Sequence, residues 1–408
     1  MSDTFDADPE ARRPEDEHRF PCPSCGSDMR YAPADGKLIC DHCGHEEGIE
    51  AGELDGTGEA HVEFDFEDAR RRDHSEIEME ETRVSQCPSC GAQVEFDPNV
   101  HSQECPFCAT PVVTDTGTHR HIKPQGVLPF GVTEREAHKA MNDWLGKLWF
   151  APNGLKEYAR NGRKLDGIYV PYWTYDADTR TAYRGQRGDA YYVTVRGPDG
   201  KPRQERRMRW TFVRGRVARF FDDVLVLASR SLPKSYTDGL APWDLTKLAD
   251  YKPEFLSGFR AEAYQIDLED GMVEARAIMD NQIRRDIRRD IGGDAQRISK
   301  MDVNVSAVTF KHVLLPVWLA AYKYRGKSYR FVVNGQTGKV QGERPYSWIK
   351  IALAILAAII IAGGVLYGLE VLDNGGFPQS GSLPAPSQTT GFTPPQPVQT
   401  PTFTPPTK

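Results

Sequence analysis

The chain has 408 residues, 39 % of them hydrophobic, with 58 acidic against 51 basic side chains and a formal net charge of −7. That length leaves room for two or three domains with a sizeable core. The acidic balance argues against a protein built chiefly to coat nucleic acid. All eight cysteines lie in the first 108 residues, every one in a C-x-x-C pair. The acidic N-terminus lacks an apolar core, so no cleaved signal peptide is expected. Paired thiols without a disulfide framework point to metal in a reducing compartment.

Residues 1–19 are charged and apolar-poor, and they read as disordered. A first cysteine module follows at 20–48, with Cys22, Cys25, Cys40 and Cys43. An acidic linker occupies 49–84; between Gly44 and Gln86 there are 15 Asp/Glu against 4 Arg, a local balance of −11. A second module at 85–115 holds Cys87, Cys90, Cys105 and Cys108. Both modules open Cys-Pro-Ser-Cys-Gly, both place 14 residues between their pairs, and corresponding cysteines lie 65 positions apart. The two are an internal duplication.

From 121 to 346 the composition is that of an α+β domain with an antiparallel sheet. Thr133 and Glu136 form a capping box before a helical face of Ala137, Met141, Trp144, Leu145 and Leu148. Tyr191 to Arg196, the turn Gly197-Pro-Asp-Gly200 and an Arg-rich run predict a β-hairpin. A second helix is predicted over about Leu268 to Asp290, with Ile283, Ile287 and Ile291 on one stripe. The last hairpin runs from Tyr329 through Asn334-Gly335 and returns at Lys339. Ile168-Tyr-Val-Pro-Tyr-Trp173 and Val313-Leu-Leu-Pro-Val-Trp318 echo each other, either as two copies of one unit or as similar strand entries.

Ile351 to Leu369 holds 19 residues without a charge. At ~1.5 Å per residue that is about 28 Å, close to the ~30 Å of a bilayer's hydrocarbon, so a transmembrane helix is expected over 348–370. Trp348 and Tyr367 suit the interfaces. Lys339, Arg344 and Lys350 precede the span, whereas Glu370 and Asp373 follow it, which puts the N-terminal domains in the cytoplasm. Gly363, Gly364 and Gly368 leave room for a second helix and hence for a homo-oligomer. The Pro/Thr-rich tail, 371–408, reads as disordered. The expected class is therefore multi-domain: two zinc ribbons, an α+β domain, one C-terminal transmembrane helix and a disordered tail.

Zinc takes four thiolates tetrahedrally at ~2.3 Å, and each C-x-x-C knuckle offers two. The first ion would sit on Cys22, Cys25, Cys40 and Cys43, the second on Cys87, Cys90, Cys105 and Cys108. A short β-hairpin between knuckles fits the 14-residue gap, and Gly26, Gly44 and Gly91 supply left-handed backbone after a knuckle. Thiol–disulfide chemistry and iron are the other readings of such sites. A closed four-sulfur shell leaves no position for substrate, so both Zn2+ ions are structural. The chain has no H-E-x-x-H, no G-x-S-x-G and no phosphate loop; Gly326-Lys327-Ser328 lacks the upstream glycine. No catalytic residue is expected, and the chain reads as a non-enzyme.

Lys201, Arg203, Arg206, Arg207, Arg209, Arg214, Arg216 and Arg219 are interleaved with Trp210, Phe212 and Phe220. The bland reading is a strand with arginines outward and aromatics in the core. The functional one is contact with phosphates, of anionic lipid or of nucleic acid. Arg284-Arg285 and Arg288-Arg289 alternate with Asp280, Asp286 and Asp290, the pattern of a salt-bridged helix exterior, with partner binding as the other reading.

The two CPSCG knuckles, Tyr169-Val-Pro-Tyr-Trp173, Leu315-Pro-Val-Trp318 and Val333-Asn-Gly-Gln-Thr-Gly338 together resemble the bacterial TFIIB-type zinc-ribbon membrane proteins. These are often labelled primosomal helicase subunits. Some members lie in operons with a phage-shock-protein-A homologue and a flotillin-like SPFH-domain protein. The resemblance implies a membrane-anchored adaptor at the bacterial inner membrane that recruits such proteins, in envelope stress. The alternative is a nucleic-acid-binding zinc-ribbon protein that is not itself a helicase.

Overall fold

β-branched and aromatic side chains dominate the segments around Ile168 and Val313, and they build strands of unusual length. The computed structural model describes residues 20–49, 62–71, 79–95, 102–108, 111–113, 117–148, 165–198, 200–324, 327–343 and 348–373. The chain divides into two units, Met1–Ser347 and Trp348–Lys408. The expected disordered ends, 1–19 and all but the start of 371–408, lie outside the described residues.

In the first unit the main sheet and its two long helices comprise β1 (Gly126–Val127), α1 (Glu134–Lys147), β2 (Asp166–Arg196), β3 (Pro202–Leu227), α2 (Leu268–Ile291), β4 (Ala295–Tyr324), β5 (Lys327–Asn334) and β6 (Val340–Gly342), with shorter elements between and before them. β2 is the centre. It runs antiparallel to β3 from Tyr172↔Leu227 to Arg196↔Pro202. On its other side it pairs antiparallel with β4 from Asp166↔Leu319 to Gly188↔Ala295. β4 in turn carries β5, the parallel β1 and a short strand at Phe64–Asp65. Past Gly188, β2 and β3 continue as a two-stranded arm.

The echoed Pro-x-Trp segments are neighbours: Tyr169 faces Pro316 and Pro171 faces Leu314. Their indoles are used alike. Trp173 Nε1 donates to Ile266 O and Trp318 Nε1 to Val132 O, each at 2.8 Å.

The period-2 alternation of these strands divides the core between two faces. Tyr169, Leu314, Trp318 and Val333 look toward α1 and the first cysteine module. Trp173, Tyr175 and Tyr183, further along the same face, meet α2. Ile168, Val170, Leu315 and Val317 point the other way, toward the second module. α1 carries the expected capping box, with Thr133 and Glu136 bonded reciprocally, and buries Ala137, Met141 and Leu145. α2 buries Met272, Ala275, Met279, Ile283, Ile287 and Ile291, a stripe at i, i+3 and then i, i+4 spacing. It approaches closely at Gly271, where a Cβ would fall 2.4 Å from Tyr175 Oη. On its outer side Asp286 receives Arg219 of β3 in a two-bond fork of 2.6 and 3.0 Å, which holds the carboxyl below its ordinary range.

The second unit contains α3 (Trp348–Asp373). Its stretch Lys350–Glu370 is long and apolar enough to cross a membrane, and its apolar side chains, such as Ile360 and Leu366, are exposed. A soluble helix would present one polar stripe; this one has none.

Candidate metal centres

Each cysteine module brings its four sulfurs together. Cys22 and Cys43 Sγ lie 3.5 Å apart, as do Cys25 and Cys40. In the second module the pairs are Cys87 and Cys108 at 3.6 Å and Cys90 and Cys105 at 3.7 Å. Within each group all sulfurs fall within 4.8 Å of one another. A regular tetrahedron with ~2.3 Å metal–sulfur bonds has edges of about 3.8 Å, whereas a disulfide would need ~2.05 Å. The spacing therefore fits zinc, and none of these pairs stands at disulfide distance.

The backbone explains the placement. In three knuckles the amide after C-x-x-C turns back: Gly26 N donates to Cys22 O, Gly44 N to Cys40 O and Gly91 N to Cys87 O, at 2.8–2.9 Å. All three glycines take φ near +75°, as the sequence requires. Without a metal, neighbouring thiols must share protons. The hydrogen bond from Cys105 draws Cys90 down to about 5, and the same contact pushes Cys105 far up. Amide and hydroxyl donors of Ser27 lower Cys25 to about 6. A divalent cation satisfies all four thiolates at once, which is the chemistry these shells can offer. His45 Nδ1 sits 3.3 Å from Ser24 Oγ, outside the sulfur group.

The modules differ in their strands. The first has the expected hairpin between knuckles, Arg30–Ala32 with Lys37–Ile39, plus Glu46–Gly48. In the second, Gln93–Glu95 pairs instead with Met79–Gln86, and Ser102–Glu104 pairs with Pro111–Val113. The stretch before Cys87 is itself a strand, and it also pairs with Gly117–Ile122. Two parts of the acidic linker, 62–71 and 79–84, are thus built into the fold.

Both modules are cemented to the sheet. Tyr31 N donates to Ser257 O at 3.0 Å, and its ring meets Phe255 edge-on at 5.5 Å. Cys22, Met29, Leu38 and Cys40 share a buried cluster with Phe130, Tyr169 and Trp318. On the opposite face Cys87, Val94, Cys105 and Phe107 share one with Leu128, Ile168, Leu232 and Leu240. Ala263 N donates to Gln93 O, and Gln265 Nε2 to Gly91 O. Beside that junction Glu262, 2 % exposed, accepts bonds from the hydroxyls of Ser229 and Ser231, while burial pushes its carboxyl up to about 8.

Sequence reasoning missed a second polar group, at the bulges of the long strands. Lys311 Nζ reaches Asp223 at 3.0 Å and Glu63 at 3.3 Å, with Thr309 also on Glu63. Asp176 receives the Asp223 amide and lies beside Glu63; burial and that neighbour raise it to about 7. Glu63 belongs to the acidic linker, so this cluster ties the stretch between the ribbons to the sheet. An isolated Asp within the apolar run Tyr172 to Ala177 was the available signal.

The basic run departs from its bland reading. Arg214 and Arg216 do face outward, but Phe212 and Phe220 share that outer face and are 83 % and 60 % exposed.

The family model for the zinc-finger of RNA-polymerase I-specific TFIIB, Rrn7, matches residues 16–48. The first module is thus a TFIIB-type zinc ribbon, and the second repeats its four-cysteine site. Over its length the chain is similar to the uncharacterized protein YdjG of Bacillus subtilis strain 168, with 26 % identity over 368 residues, 88 % of this chain and 99 % of the relative. No solved structure matches.

Proposed function

We propose that the chain is a non-enzymatic adaptor, anchored by α3 in the bacterial inner membrane with its zinc-stiffened unit in the cytoplasm and its tail outside. One observation carries this reading: both cysteine groups gather their four sulfurs within 4.8 Å and are built into the core on opposite faces of one sheet. A metal so enclosed by four sulfurs holds a surface in shape for partners. The charge-free stretch of α3 supplies the anchor, and the basic flank before it and acidic flank after it support the sidedness. Phage-shock-protein-A-like and SPFH-domain proteins are the partner classes that the family resemblance suggests, in a response to envelope stress.

Affinity capture of the tagged full chain from detergent-solubilised membranes tests this. Defined proteins should co-purify with the wild type and fall away in Cys43→Ser, whose sulfur is exposed and whose loss opens one shell. Recovery of no stoichiometric partner from intact, zinc-loaded protein would count against the adaptor reading.

A further inference from the structure

The outer face of the distal sheet, away from α2, carries a second surface unrelated to the metal shells. Cross-strand pairing lines its side chains up in rows. Arg184 of β2 stands between Arg214 of β3 and Lys300 of β4. The adjoining rows add Arg216 and Arg180 toward the bulges and Arg297 toward the arm. Over these four rows the face holds six cations and one carboxylate, Asp302, which Lys300 contacts at 3.0 Å. Arg297 Cζ sits over the Trp210 ring, 3.9 Å from its centroid. Among the described residues Arg180, Arg184, Arg214 and Arg216 have no ion-pair partner.

Two phenylalanines frame this patch on β3. Phe212 stands in the row of Gln186 and Arg297, and Phe220 in the row of Asp178. A flat basic face with exposed rings attracts two kinds of polyanion, and their geometries differ. Eight residues of strand put Phe212 and Phe220 ~27 Å apart, too far to stack neighbouring bases of a single strand. Arginines with apolar rings at their margins instead match a bilayer surface, where cations meet phosphate oxygens and aromatic side chains enter the interfacial zone.

We infer that the Arg184–Arg214–Arg216 face, framed by Phe212 and Phe220, is a docking surface for an anionic phospholipid bilayer. This rests on the membrane-anchored reading, since the same chain continues from Ser347 into α3 and so keeps headgroups at high local concentration. Each arginine close to an anionic leaflet raises affinity about fivefold, so three together amount to roughly a hundredfold.

The test places the photo-crosslinker p-benzoylphenylalanine at position 212 of the full chain. The protein is reconstituted into nanodiscs of phosphatidylcholine alone or of phosphatidylcholine with phosphatidylglycerol, irradiated, and assayed for lipid adducts by mass spectrometry. Adducts should form in the anionic discs and fall at least tenfold in the neutral discs. They should fall likewise in anionic discs when R184Q, R214Q and R216Q are combined. The same crosslinker at position 273, exposed on α2, should give none. Equal yields in the two discs, or no adduct in either, overturns the proposal; so does preferential crosslinking to an added single-stranded oligonucleotide at 0.15 M salt. If the triple variant misfolds, the two disc compositions still decide with the wild-type sheet. A chain that fails to enter discs overturns the anchor instead. Sedimentation with anionic but not neutral vesicles then upholds the basic face, and its absence overturns that too.

Discussion

Phe107 is the sharpest probe of whether the second zinc shell is an appendage or part of the core. It lies between Cys105 and Cys108, is fully buried, and belongs to the cluster of Leu128, Ile168, Leu232 and Leu240. A phenyl side chain buries about 200 Å², which at ~25 cal/mol per Å² is about 5 kcal/mol. Phe107→Ala retains Cβ but leaves a cavity, so the expected loss is about 3–5 kcal/mol. All four sulfurs remain. The loss therefore comes through packing, and the sheet should feel it because the same side chains line both. The assay is guanidinium unfolding of the full chain in detergent, followed by tryptophan fluorescence, to which buried Trp173 and Trp318 contribute, and, in parallel, by zinc release to a colorimetric chelator. Both transitions should move together to lower denaturant. A shift in zinc release with the tryptophan transition unchanged, or a loss below ~1 kcal/mol, would refute the claim that ribbon and sheet share one core.

Three further outcomes follow from the same structure. Elemental analysis should find about two zinc ions per chain, falling to about one in Cys90→Ser, since each shell needs all four thiolates. The bulge cluster should weaken as pH rises. Burial and neighbouring Glu63 raise Asp176 to about 7 when folded against about 4 when unfolded, so the folded state holds the extra proton and that stabilisation is lost as pH rises between about 4 and 7. Proteolysis around 62–71 should accordingly be faster at pH 8 than at pH 5.5, and Asp176→Asn should flatten that dependence. Gly271→Ala should cost about 1–3 kcal/mol in thermal or denaturant unfolding, because its new Cβ falls against both Tyr175 Oη and Trp173 Cδ1; a neutral result would mean that α2 can lift off the strands.

The local signals were legible where one residue type forces one geometry. The cysteine spacing, the glycines at φ near +75° and the capping box of α1 all follow from short-range chemistry. So does α2, whose isoleucine stripe has no other use. What escaped was everything set by long-range pairing. Nothing in a period of two shows that β2 will run 31 residues and β4 30, because strand length is decided by the partner that is available. The placement of the ribbons was hidden for the same reason. The modules read as separate domains, yet Tyr31 packs in one cluster with Phe255 and Trp318, and Val94 and Phe107 in another with Leu232 and Leu240, all far along the chain. Exposed Phe212 and Phe220 also ran against the rule that rings point inward, a departure only the register could reveal.

β3 has a further property that follows from its place at the margin of the sheet. Among the described residues it pairs on one side only, with β2, from Pro202 to Leu227 but for the bulge at 222–223. So long an open edge is a template on which another copy could add a strand and begin a fibre. Arginine at 203, 206, 207, 209, 214, 216 and 219 sets like charges against any such copy. That repulsion opposes edge-to-edge pairing, so polyanions or concentrated salt that neutralise it should promote association of copies along β3.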